Sequence, residues 1–345
     1  MKIDLNDIKI SPIYESVHRE KMSDERYFSD EFSDYISNSR LKLINPKDGG
    51  SPSKYKAGFT GEFTNSLAIG SAVHCLLLQG DTFVLGPDIN KPSAKLGLVI
   101  DKIREYRIKG YTVNESINKA CLDIHYYEKN INPSRIRSII KSGFEYYQNC
   151  KYVLDDYAII LSSKDREIVE RCLNNLNTHR VKRILNPVDL YGEEIDSFNE
   201  EAFFINLIGK YEDKECEIKL KMKADNWTLD IENKIVTLND LKTTGHSINT
   251  FMEKDGSFYK FSYYRQFALY LWIILQYCKK ELAFKSDEWT YKCNVIVVET
   301  IKDNKVDVFP ISKELLDYGR TEFCRLLKMV AYCEMFGYDD NIEFC

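Results

Sequence analysis

Clustered metal-binding cysteines are the first thing this chain lacks. Ten cysteines are present, at 75, 121, 150, 172, 216, 278, 293, 324, 333 and 345, yet none forms a CxxC pair and only five histidines accompany them. That spacing excludes zinc ribbons and clustered iron–sulfur sites, whose ligands come close together. In a reducing compartment such cysteines read as free thiols, several of them buried. Long apolar runs are missing as well. The best candidate, Phe267–Cys278, is about half the ~20 residues that cross a bilayer. The opening MKIDLNDIKI has no apolar signal-peptide core, so the expectation is a cytoplasmic protein with no membrane partner. Excess positive charge is also absent. A net charge of −5 argues against a surface coated for nucleic acid, but a local basic channel is enough to hold a polyanion. No internal repeat and no low-complexity tract interrupts the chain.

What is present is ample core material. The 345 residues are 44% apolar, with 23 Tyr and 18 Phe, enough for one elaborated domain or two. The first 65 residues are turn-rich, with Ser11-Pro12, Asn45-Pro46 and Gly49-Gly50-Ser51-Pro52. An apolar helix follows from about Leu67 to Gln79, then a turn cluster from Gly86-Pro87 to Pro92-Ser93. Residues 95–185 read as mostly helical. Thr112-x-x-Glu115 is a capping box, and Ser134 and Ser163 are further cap candidates. Near residue 200 the period changes to two. Glu201–Ile205, Glu217–Lys223 and Lys234–Leu238 read as strands, the last continuing into Asn239–Lys242. A helix over Tyr263–Cys278, a strand at Cys293–Glu299 paired with Lys305–Phe309, and a helix over Ser312–Phe336 complete the layout. This predicts a mixed α/β fold: a single domain over 1–345, with a mostly helical insertion at 95–195, a β-rich core at 196–310 and a C-terminal helix from 311 to 345.

The candidate chemistry lies in the β-rich core. Asp240-Leu241-Lys242 is a weak motif alone, since Asp7-x-Lys9 and Asp303-x-Lys305 share it. Three features set it apart. It continues an apolar strand, so Asp240 and Lys242 share one face. Asp225 ends the preceding strand, and a hairpin across Asn226–Asn233 brings the two carboxylates together. The following helix presents Gln266 and Tyr270 at i and i+4. Hard oxygen ligands hold Mg²⁺, a bound ion activates water and neutralises developing charge, and a nearby lysine orients water or stabilises the oxyanion. Glu201 is a candidate third carboxylate, with its neighbour Glu200 as the competitor. His74, inside the apolar helix, reads on chemistry alone as a core histidine more often than as a ligand.

These residues resemble a known pattern. Ile36–Leu41 with Ser51–Tyr55, Gly70-Ser71-Ala72-Val73-His74 with Gly80-Asp81-x-Phe83, Lys223-Ala224-Asp225, Asp240–Thr244, Tyr264-x-Gln266-x-x-x-Tyr270 and Tyr318-Gly319 are similar, in order, to segments of the PD-(D/E)XK nuclease superfamily. The likeness is to its RecB/RecE-like branch, the phage recombination exonucleases. It implies a restriction-endonuclease-like mixed sheet flanked by helices. It implies metal ligands at His74, Glu201, Asp225 and Asp240, catalytic Lys242, and Gln266 and Tyr270 in positioning roles. It also implies Mg²⁺ (Mn²⁺ substituting), resection from duplex DNA ends in the 5′-to-3′ direction, a ring-shaped homo-oligomer and a single-strand annealing partner. The segment of about 100 residues before Glu201 is poorly matched.

Lys219, Lys221 and Lys223 share strand phase with Asp225, so unless a bulge intervenes they line the path of a phosphate backbone as readily as they form a solvated face. Two other readings compete: an endonuclease of restriction or CRISPR-adaptation type, and an inactive DNA-binding protein of the same fold.

Overall fold

The computed structural model describes residues 2–58, 65–80, 92, 94–127, 132–151, 161–282, 285 and 288–345. Asp81, Phe83 and the Gly86-Pro87 turn lie outside them. The chain divides into two compact units, one of Met1–Phe63, Leu77–Gln79 and Cys172–Cys345, the other of Thr64–Leu76 and Gly80–Arg171. The longer helices, in chain order, are α1 (Asn65–Leu78), α2 (Ala94–Ile108), α3 (Val113–Asp123), α4 (Pro133–Lys151), α5 (Ser163–Leu176), α6 (His179–Leu185), α7 (Tyr263–Glu281) and α8 (Lys313–Phe336).

The first unit is built on a six-stranded mixed sheet whose spatial order follows the chain: β1 (Lys9–Lys21), β2 (Asp196–Tyr211), β3 (Lys214–Asp230), β4 (Ile235–Thr244), β5 (Thr290–Glu299) and β6 (Val306–Pro310). The neighbours pair antiparallel except β4 with β5. A parallel pair needs a long crossover, and α7 supplies it. The mixed α/β class expected from the sequence is the observed one. β1 is a departure, because its Ser11-Pro12 reads as a turn. Pro12 is tolerated because β1 is an edge strand, with an irregularity between Ile13 and His18.

One large core joins the sheet to α7 and α8, through Phe203, Leu220, Trp227, Val295, Phe267, Ile274 and Phe323 among others. The two helices meet closely at Gly319, where an added Cβ would lie 2.2 Å from the Tyr264 carbonyl oxygen and 2.8 Å from Ala268 Cβ. Backbone cannot yield as a side chain does. Gly319→Val is therefore expected to lose about 2–3 kcal/mol of unfolding free energy, read as a lower urea midpoint; an unchanged midpoint would show that the helices separate freely.

The second unit is helical, and α2, α3 and α4 bury Val99, Ile103, Ile117, Ala120, Ile139 and Tyr146. The capping box at Thr112 and Glu115 is formed. Two caps fall elsewhere than expected. Pro133 starts α4, and the Asn132 carboxamide, not Ser134, accepts from Arg135 N at 2.9 Å. Ser162 rather than Ser163 accepts from Asp165 N. The nine cysteines with described side chains are free thiols, and among the described residues no helix is long and apolar enough to cross a membrane.

Candidate metal centre

The site forms where the sheet forks. β3 and β4 are a hairpin paired from Asp230↔Ile235 to Asn226↔Asn239, and no further. Past that point β3 stays with β2 while β4 follows β5 through Thr244↔Glu299. The abandoned edge of β3 is taken by Ile36, whose N–H donates to the Lys219 carbonyl at 2.8 Å. On β4, the Leu241 N–H just beyond the parting donates to Asp225 Oδ2 at 2.7 Å. The Asp225 side chain thus ties the two prongs together, with Asp225 on one and Asp240 on the other.

Strand phase decides which glutamate joins them. Phe203, Ile205 and Leu207 on β2, and Ile218, Leu220, Met222 and Ala224 on β3, face the main core. So do Phe198, Trp227 and Leu229 farther along the same strands, at positions of opposite parity. Strict alternation forbids this, so each strand carries one extra residue between. The register Asn199↔Asn226 and Glu201↔Ala224 resumes on either side, which makes Glu200 and Asp225 those extra residues, facing each other without a ladder pair. Glu200 has φ +57°, a strained conformation for a side chain of its size and of a kind that collects at functional sites. The carboxylate oxygens of Glu200 and Asp225 lie within 4.8 Å of one another.

Glu201, expected as the third carboxylate, points into the core side instead. It accepts from Arg19 Nη1 at 3.0 Å and from Trp227 Nε1 at 3.1 Å, and the guanidinium stacks 4.3 Å over the Phe198 ring. The correction has a plain cause: Glu201 shares strand phase with the core-facing Phe203, Ile205 and Leu207, and the extra residue is the one before it.

On the other prong, Asp240 is 2% exposed. Its Oδ1 accepts from Gln266 Nε2 at 2.7 Å and its Oδ2 lies 2.5 Å from Lys242 Nζ. The ammonium also sits 5.0 Å from the Tyr263 ring centroid. Burial works to lower the Lys242 pKa, but Asp240 and then Asp225 outweigh it and raise the value. Lys242 is thus an ammonium at neutral pH, suited to steadying negative charge rather than to accepting a proton. Tyr270, one turn after Gln266, has its phenol pushed well above the ordinary value by loss of solvent, by Tyr27 and by Asp240, Asp225 and Glu200. It stays a neutral donor beside the carboxylates.

The donor set suits a divalent cation. Glu200, Asp225 and Asp240 offer hard anionic oxygens of the kind that magnesium, calcium and manganese take. The lysine row contributes less than its phase suggested. Lys219 pairs with Asp34 at 2.7 Å. Lys221 is buried, its amine on the Tyr27 carbonyl at 2.8 Å beneath Tyr27 and Phe32, which removes it from any phosphate path. Lys223 alone reaches the carboxylates, 2.8 Å from Glu200 and bonded also to Asp24. His74 lies half-buried on α1, within the second unit.

No protein-family model matches the chain, and no curated protein matches it. Two solved structures overlap it loosely. One is the crystal structure of a "Putative exonuclease" from Eubacterium rectale, 12% identical, covering 90% of this chain and 86% of that one at a TM-score of 0.39. The other is a Vibrio cholerae protein, 11% identical, covering 92% of this chain and 60% of that one at a TM-score of 0.15. Overlaps this loose carry no argument, so the functional reading rests on the side chains above.

Two contributors are not marked in the sequence, Tyr263 under the lysine and Asp24 behind Lys223, and Glu200 stands there only as the competitor to Glu201. For Glu200 a signal existed. Phe198 and Phe203 are an odd number of residues apart within one strand, so both can face a core only across a bulge. Asp24 and Tyr263 are brought in from loops and helix ends, and no periodicity marks them.

Proposed function

We propose that this protein is a Mg²⁺-dependent DNA exonuclease that hydrolyses phosphodiester bonds from the ends of duplex DNA. The observation that carries the reading is the convergence of Glu200, Asp225, Asp240 and Lys242 at the sheet fork. Glu200, Asp225 and Asp240 would hold the ion, with His74 as the further ligand that the sequence likeness implies. When bound, Mg²⁺ supplies an activated water and positive charge against the pentacovalent oxyanion. Lys242, held charged by Asp240, orients that water and steadies the same oxyanion. Gln266 fixes the Asp240 carboxylate, and Tyr270 donates toward the scissile phosphate. The likeness to recombination exonucleases narrows nuclease to end resection, 5′-to-3′, by a homo-oligomeric ring in the cytoplasm (the host's, if phage-encoded) that hands single strands to an annealing protein.

The test sets linear against closed-circular duplex DNA in Mg²⁺. Linear DNA is expected to release nucleotides from its ends and leave single strands, circles to survive, and a chelator to stop the reaction. Cutting of closed circles would replace the exonuclease with an endonuclease. No cutting of either, with purified folded protein and Mg²⁺ or Mn²⁺, would leave the inactive DNA-binding reading.

A further inference from the structure

A row of four asparagines crosses the sheet at the base of the fork. Asn199 on β2, Asn226 on β3, Asn239 on β4 and Asn294 on β5 stand in direct register: Asn199↔Asn226, Asn226↔Asn239 and Asn239↔Asn294. Their carboxamides are bonded in one direction. Asn294 Nδ2 donates to Asn239 Oδ1 at 2.9 Å, Asn239 Nδ2 to Asn226 Oδ1 at 2.7 Å, and Asn226 Nδ2 to Asn199 Oδ1 at 2.7 Å. Asn226 and Asn239 are fully buried. They also help close α6, whose last carbonyls lack partners within the helix: Asn239 donates to Ile184 O and Asn226 to Leu185 O, each at 3.1 Å, the latter oxygen shared with the Ser197 hydroxyl.

The placement matters more than the bonds. Each of the first three asparagines is the chain neighbour of a carboxylate of the site: Asn199 of Glu200, Asn226 of Asp225, Asn239 of Asp240. Asn226↔Asn239 is also the last pair before β3 and β4 separate. A backbone pair can fray or slip; a buried amide row shared by four strands cannot shift by one residue without unpairing every member. The ladder therefore determines where the fork opens, and with it the spacing between the Glu200–Asp225 prong and the Asp240–Lys242 prong.

We propose that Asn199, Asn226 and Asn239 are positioning residues for the metal centre, acting through the backbone next to each carboxylate and setting the site's affinity for its divalent ion. This rests on the nuclease reading above. None of the three is one of the carboxylates that would hold the ion. They stand behind those ligands through the backbone, and losing groups that orient a metal's ligands generally costs about 10–100-fold in affinity.

The experiment measures Mn²⁺ binding by calorimetry on the full chain, without DNA, well below the unfolding midpoint. Asn226→Ala and Asn239→Ala are expected to weaken Mn²⁺ by about tenfold or more. Asn199→Ala, at a half-buried position that tolerates truncation, is expected to do the same and covers the case in which a buried variant does not fold. Val308→Ala, a buried change on β6 away from the ladder, serves as the stability control. It is expected to lower the unfolding midpoint with affinity within twofold of wild type. Wild-type affinity in folded ladder variants overturns the proposal, and so does an equal loss in Val308→Ala, because affinity would then follow stability alone. A wild-type chain that binds no Mn²⁺ overturns the nuclease reading together with the ladder's role, whereas a binding wild type with unchanged ladder variants overturns the ladder alone.

Discussion

Asp240→Asn should reduce DNA cleavage on the order of a thousandfold or more while the protein stays folded. The magnitude follows from what the carboxylate does. A metal ligand adjoining the developing charge contributes several kcal/mol to the transition state, and each 1.4 kcal/mol is tenfold in rate. The substitution keeps the shape and keeps an oxygen for Gln266, whose amide now lies 2.7 Å from Oδ1. It loses the anionic oxygen 2.5 Å from Lys242 and sets an amide against that ammonium. Two effects on stability oppose each other. Removing one partner of a buried pair costs free energy, while removing one of three converging carboxylates relieves repulsion. The net change in unfolding free energy should stay within about 2 kcal/mol. Cleavage assays with a urea titration check both halves. Near-wild-type turnover would remove Asp240 from the site, and a collapse of the fold would mean that its role is chiefly structural.

The second large effect separates two adjacent glutamates. Glu200→Gln should lose cleavage on the order of a hundredfold or more and weaken Mn²⁺, with little change in stability because Lys223 keeps Asp24 as a partner. Glu201→Gln should do the reverse. Its carboxylate is the acceptor for Arg19 and for the Trp227 indole, and losing a charge-assisted bond costs about 1.5–3 kcal/mol, so the unfolding midpoint falls while turnover of the folded protein stays within a few-fold. The opposite pattern would restore Glu201 as the ligand and undo the strand-phase argument. His74→Ala belongs in the same series: weakened Mn²⁺ binding at unchanged stability supports the ligand role that the likeness implies, and wild-type affinity removes His74 from the set.

Much of the site is legible in the amino-acid order. Alternation in Glu217–Lys223, the apolar run ending in Asp240-Leu241-Lys242 and the 3.6-residue period of the Gln266–Tyr270 helix are local properties of the chain, and each has one geometric consequence. Side chains two apart on a strand share a face, and side chains four apart on a helix share a face. Asp240 with Lys242, and Gln266 with Tyr270, follow from those rules alone. The strand at Lys9–Lys21 is not legible in this way, because Ser11-Pro12 reads as a turn and only an edge position with a neighbouring irregularity lets proline stand in a sheet.

What alternation cannot tell is where alternation stops. Glu200 displaces Glu201 because one residue is added to β2 opposite one added to β3, a feature of pairing between segments that no local period carries. Lys221, in phase with its neighbouring lysines, is covered by Tyr27 and Phe32, about 190 residues away in sequence. Asp225 and Asp240 meet at the fork as their strands predict, and the glutamate beside them is the one at the bulge. By itself the sequence determined the kind of chemistry available near residues 225–242 and the elements that carry it, since those depend on contacts a few residues apart. Only the tertiary structure decided which carboxylates meet and which lysines remain open, because the fork, the paired bulge and the covering segment are made by strands and loops that find one another across the fold.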